Sequence, residues 1–142
     1  MRRAVRLRVV VNMLNMSTPL GVLVARAGGA RVRSGPEGLL LAEGFRGRLL
    51  APRAPALTIG NVVLLRMDAE QALAAPGLLA HESRHASQYA CWLGPFGFLP
   101  AYLLASLWSW WLTGTFALRN RFEVRAGLVD GGYLREPRTP DR

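Results

Sequence analysis

Residues 85 to 118 carry no aspartate, glutamate, lysine or arginine. An uncharged run of that length must be buried, pressed against a partner, or laid against lipid, and it dictates how the second half of the chain folds. Within it, Phe98 to Leu118 is long enough to cross a bilayer, which takes about 20 residues. Trp108, Trp110 and Trp111, with Arg119 beyond, have the makings of an interfacial anchor. Pro95, Gly97, Pro100 and Gly114 nevertheless interrupt the run, as do Ser106, Ser109 and Thr113. It reads better as one helix of about fifteen residues that ends at Thr113-Gly114-Thr115 and lets the chain fold back.

The segment just before the run shows why the return matters. His81-Glu82-Ser83-Arg84-His85 reads H-E-x-x-H and contains the chain's only two histidines. On a helix, positions i and i+4 share a face, so both imidazoles reach one ion. Zinc suits imidazole nitrogen, takes about three protein ligands in catalytic sites, and leaves a further position for water. Glu82, between the ligands, is placed to take that water's proton as it attacks a carbonyl. The helix itself is well marked. Pro76-Gly77 opens it, no proline or glycine interrupts from Leu78 to Trp92, and Gly94-Pro95 closes it. Leu78, His81, His85, Gln88 (or Tyr89) and Trp92 form one stripe, polar in the middle of apolar residues, as in the floor of a cleft. The plainer alternative is an accidental match, with Glu82 paired to an arginine and the histidines merely solvated or packed.

A third ligand has to come from downstream, since Cys91 is the only other metal-binding side chain between His85 and Glu123. Cys91 lies ten residues beyond His81 on the same helix, about 1.5 Å of rise per residue away, out of reach of the same ion. Glu123 is the candidate, within a stretch from Leu118 to Val129 that has helical spacing. Asp130 is the weaker one. A single membrane crossing by residues 98 to 118 would put Glu123 on the wrong side of the bilayer, whereas an out-and-back pair restores the site.

His81-Glu82-x-x-His85-x-x-Gln88-Tyr89, then Gly94, Phe96 (or Phe98), Tyr102 and Asn120-x-Phe122-Glu123-x-x-Ala126, resembles the small bacterial zincin-type metallopeptidase domains of the gluzincin kind, over roughly residues 57 to 133. The resemblance implies Zn²⁺ held by His81, His85 and Glu123, with Glu82 as general base, and hydrolysis of a peptide or protein substrate. Tyrosines are natural donors to the oxyanion of such a reaction. Tyr89, Tyr102 and Tyr133 are all near the motif, and Tyr102 fits the pattern best, although an aromatic in an apolar helix is more often core. Gln88 is placed to orient a ligand, and Asn120 to cap the helix of Glu123.

Upstream, residues 57 to 66 are β-branched and apolar and read as a strand with a bend at Gly60. Zincins have an edge strand before the active-site helix that pairs with extended substrate, and this strand is either that one or an ordinary core strand. Short strands are also expected at Ala4 to Val11, Leu20 to Ala25, Ala30 to Arg33 and Gly47 to Ala51, divided by turns at Ser17-Thr18-Pro19, Gly28-Gly29, Ser34-Gly35-Pro36 and Pro52-Arg53.

The expected fold is therefore α+β and zincin-like. A single domain covers residues 1–134, with a β-rich half (1–67) holding a small sheet and a helical half (68–134) carrying the motif and a hydrophobic helix pair. Residues 135–142 are expected to form a mobile tail.

All eighteen basic residues are arginine and the net charge is +9. They are spread along the chain without aromatic interleaving, so no specific nucleic-acid partner is expected, and attraction to anionic headgroups accounts for the charge as well. One cysteine excludes an internal disulfide. Arginines within the first apolar stretch argue against a signal peptide. A cytoplasmic protein with peripheral membrane contact through residues 98–118 is expected. The expected activity is that of a zinc-dependent peptidase. The alternatives are a zinc-binding module without catalysis, or a small basic membrane-associated protein with a fortuitous motif.

Overall fold

The computed structural model of the chain describes residues 2–47 and 54–134. Two helices come first, α1 (Arg3–Leu14) and α2 (Ser17–Ala27). Four strands follow, β1 (Arg31–Ser34), β2 (Leu40–Glu43), β3 (Ala56–Ile59) and β4 (Val62–Leu65). The helices α3 (Ala69–Leu73), α4 (Pro76–Cys91), α5 (Pro95–Thr113) and α6 (Arg121–Ala126) complete it. The fold is thus mixed α+β with a small four-stranded sheet.

The first 27 residues correct the expectation of a β-rich half. Val5, Val9, Val10 and Val11 favour a strand locally, yet Ala4 to Val11 is helical, as is Leu20 to Ala25. The winning pattern is a polar one. Arg8, Asn12 and Asn15 recur at helical spacing and bond α4 at successive turns. Arg8 donates to Ser83 Oγ (2.6 Å), Asn12 Nδ2 to the Ala86 carbonyl (2.8 Å), and Asn15 Nδ2 to the Tyr89 carbonyl (3.3 Å). Tertiary pairing has overridden local propensity. Ser17-Thr18-Pro19, expected as a turn, forms the first turn of α2, where proline lacks no needed donor. The strand expected at Ala30 to Arg33 is present as β1. The expectations for residues 48–51 and 135–142 lie outside the described residues.

Residues 57 to 66 form a hairpin, with Gly60 in the left-handed region (φ 64°) at its turn. A Cβ on Gly60 would lie 2.5 Å from the backbone of Ser17 and Thr18, so the turn and the start of α2 fit only with glycine there. The strand order is β1-β2-β4-β3, with β2 and β4 parallel and the other pairs antiparallel. Each residue of β4 is buried, because both faces of the sheet are covered. Val62 and Leu64 join Ala42 and Ala25 of α2 in one cluster. Val63 and Leu65 join Leu41, Ala69 of α3, and Leu79 and Ala86 of α4 in another. Helix α4 therefore lies against the sheet beside edge strand β3, with α1 along its other side.

Candidate metal centre

Helix α4 supplies the motif. His81, Glu82 and His85 are all buried on it. The chain then turns sharply at Leu93 and Gly94, both at positive φ, and α5 leaves at 119° to α4. Gly114, also left-handed, ends α5. The returning segment is tied to α5 by hydroxyls. Ser109 Oγ donates to the Thr115 carbonyl (2.8 Å) and accepts from the Arg119 amide (2.8 Å). Asn120 Nδ2 donates to Ser106 Oγ (2.8 Å), and Asn120 Oδ1 caps α6 by accepting from the Phe122 amide (2.9 Å). The serines that break the apolar run are thus what fasten the return. Helix α6 covers only Arg121–Ala126, shorter than the Leu118 to Val129 expected, because Gly127 leaves helical geometry at φ 96°.

This path carries Glu123 back to α4. Its Oε2 lies 3.3 Å from His81 Nε2 and 3.5 Å from His85 Nε2, and the two Nε2 atoms are 3.0 Å apart. The three residues form the one group of metal-ligating side chains found among the described residues. Asp130 is not part of it. It pairs with Arg84 at 2.7 Å, and that guanidinium also donates to the Ala126 carbonyl (2.5 Å). Cys91 is exposed at the far end of α4.

The hydrogen bonds around the imidazoles decide which nitrogens are free. His81 Nδ1 faces the carbonyls of Ala126 (3.1 Å) and Gly127 (3.0 Å), which only accept, so Nδ1 carries the proton. His85 Nδ1 faces Gln88 Oε1 (2.8 Å), while Gln88 Nε2 donates to the Phe122 carbonyl (2.9 Å). That second bond assigns the amide and makes Oε1 the acceptor, so His85 also carries its proton on Nδ1. Both Nε2 lone pairs then point toward Glu123. Glu123 Oε2 is buried against these two imidazoles, and its sister oxygen accepts from the Tyr102 hydroxyl. With each Nδ1 turned to an acceptor, these three inner atoms call for a positive charge among them, which either a metal ion or a proton on His81 Nε2 supplies. The donor set, two imidazoles and one carboxylate, fits zinc.

Burial alone would raise the Glu123 pKa, but His81, His85 and Tyr102 outweigh it and hold the carboxyl well below the ordinary range. Burial would lower His81, yet the facing Glu123, with Glu82 and the Gly127 carbonyl, leaves it raised. Glu82 is pushed up by burial, against the opposing pull of His85, Thr58 and His81. Its Oε2 accepts a 2.6 Å hydrogen bond from Thr58 Oγ1 on β3. Nothing in the sequence singled out Thr58, since one threonine in a strand carries no signature. Gly131 was also missed. A Cβ there would lie 2.6 Å from the His81 ring, so the chain's closing turn can pass the imidazole only as glycine.

The tyrosines divide. Tyr89 is core, its ring 4.3 Å from that of Phe98. Tyr102 is engaged on Glu123. Tyr133 is partly exposed, with its ring 6.1 Å from that of His81, and burial together with the nearby Glu123 carboxylate, to which it also hydrogen-bonds, pushes its phenol up. Compared with protein-family models, curated proteins and solved structures, the chain matches none.

Proposed function

We propose that the chain is a zinc-dependent metallohydrolase acting on peptide bonds, with His81, His85 and Glu123 as the metal ligands. The observation that carries the reading is the buried Glu123 carboxylate converging with Nε2 of both imidazoles, whose Nδ1 protons are already committed to other acceptors. Zinc bound there supplies Lewis acidity that makes water nucleophilic near neutral pH. Glu82, not among the ligands and raised in pKa by burial, accepts the proton of the attacking water and passes it to the leaving amine. Thr58 holds one oxygen of that carboxylate and so aims the other. Tyr102 orients Glu123 from the enclosed side, and Tyr133, which also reaches Glu123 but lies beside His81 and is partly open, is the phenol that turns to the oxyanion. Extended substrate aligns along β3, the sheet edge nearest α4, while β4 has strands on both sides and cannot take part.

Elemental analysis combined with cleavage of a mixture of unstructured peptides tests this reading. Wild-type protein should hold about one zinc per chain, as a three-ligand site requires. Glu123→Ala should lose the metal. Glu82→Gln should keep it and lose cleavage. Wild-type protein without metal would sink the proposal. Zinc without any cleavage that depends on Glu82 would leave a binding module.

A further inference from the structure

Two helices of this molecule wear their polarity inside out. In α1 the polar residues Arg8 and Asn12 are buried against α4, while Leu7, Val10, Met13 and Leu14 face outward. In α5 the buried positions past Phe98 are Ser106 and Ser109, while Leu103, Leu104, Leu107, Trp108, Trp110 and Trp111 are exposed. A helix in water turns the opposite way. The two faces meet at one corner. Asn15, just past α1, packs so closely on Gly94 that a Cβ there would lie 2.7 Å from the Asn15 side chain. Around that contact Leu14 (78%), Leu93 (82%) and Phe96 (83%) are largely open to solvent.

Charge says what covers this surface. Residues 1 to 36 and 83 to 122 contain no acidic side chain. Exposed Arg2, Arg3 and Arg6 stand at the start of α1, and exposed Arg119, Arg121 and Arg125 follow the tryptophan cluster of α5. Apolar faces bordered by tryptophan and arginine, with no carboxylate nearby, match the layering of an acyl boundary beneath anionic headgroups. No single described helix is long and apolar enough to cross a membrane, and the pairs that reach that length together, α1 with α2 and α4 with α5, are bent by 71° and 119°. Bends that sharp, with α4 buried against the sheet, suit lying in one leaflet.

We propose that the outward faces of α1 and α5 form a docking surface for an anionic lipid bilayer, on which the protein sits monotopically. The inference is independent of the metal centre, and its test reads lipid partition instead of hydrolysis. Full-length protein is mixed with vesicles of phosphatidylcholine alone or with phosphatidylglycerol, then floated on a density gradient. Brominated lipid reports whether tryptophan enters the acyl region. Wild-type protein should float best with the anionic vesicles, stay bound in high salt, and show quenched tryptophan fluorescence. Leu104→Glu with Trp111→Glu, or Leu7→Glu with Val10→Glu, should cut the floated fraction about tenfold or more, because each carboxylate must be desolvated at the lipid face. These positions are exposed, so melting should be nearly unchanged. Protein left at the bottom of the gradient would overturn the proposal. So would flotation abolished by salt without quenching, which is adsorption by charge alone, or a lipid-free dimer that shields the tryptophans.

Discussion

At the scale of single residues, the partner of each side chain decides what it can do. Tyr102 and Tyr133 are both phenols that reach Glu123, but Tyr102 is the more enclosed and donates to its Oε1, whereas Tyr133 also lies beside His81 with part of its surface open. Tyr133→Phe should therefore lower kcat on the order of 100-fold, as loss of one oxyanion donor does, with zinc content unchanged. Tyr102→Phe should instead weaken zinc binding, by about 10-fold or more, because it removes a hydrogen bond that orients a ligand. Zinc titration against a chromogenic chelator, run beside peptide-cleavage kinetics, separates the two, and equal effects from both variants would contradict the division. Thr58→Val keeps the shape of the strand but removes the 2.6 Å bond to Glu82. Its expected signature is a loss of about tenfold in kcat at constant metal content, near the worth of one hydrogen bond to a charged group. That His81 and His85 share one face was legible because H-E-x-x-H ties residue type to helical period, and Glu123 was reached as the next carboxylate downstream. Thr58 and Gly131 were not, since their roles depend on chain segments that meet only in space.

At the scale of elements, what could be read depended on which periodicity was followed. Helix α4 was legible end to end, because proline and glycine punctuate it and its stripe is continuous. The out-and-back path of α5 and α6 followed from the breaks in an uncharged run. Helix α1 was misread as a strand because its valines favour β structure and its apolar residues point away from the core. Its informative stripe is polar, Arg8, Asn12 and Asn15, and a search for buried apolar periodicity passes over such a stripe. The same stripe predicts the cost of disturbing it. Asn12 is fully buried and donates both to the Ala86 carbonyl and to Asn61 Oδ1 (3.1 Å), while Asn61 in turn donates to Thr18 (2.9 Å). Asn12→Ala strands that acceptor and should destabilise the fold by about 1–3 kcal/mol in denaturant titration. Val10→Ala, two residues away on the exposed side, should leave stability within about 0.5 kcal/mol. Equal losses would mean that α1 is not held to α4 by its polar face.

For the whole molecule, the proposed zinc ion is also a clasp between the two ends of the helical half. Apart from it, the return segment is held to α4 by a short set of polar ties, most of them made by His81 and Arg84. These are the Gln88 bond to Phe122, the contacts of His81 with Ala126 and Gly127, and those of Arg84 with Ala126 and Asp130, joined on the apolar side by Phe122 in the core. One face of the sheet has its own buried cluster with α3 and α4, which contains no residue of the return segment. A ligand that binds only the folded state adds about 4 kcal/mol at a thousand times its Kd, which for a chain of this size raises Tm by roughly 10 °C. Chelation should reverse that rise, and the loosening should not be uniform. Amide hydrogen exchange ought to quicken first in residues 115 to 132, where Glu123 no longer bridges to His81 and His85, while β2 and β4 remain protected. Glu123→Ala should show the metal-free pattern with or without added zinc. If chelation instead loosened the sheet and the return segment together, the ion would be holding the entire fold, and the clasp would have to be abandoned as the account of its structural role.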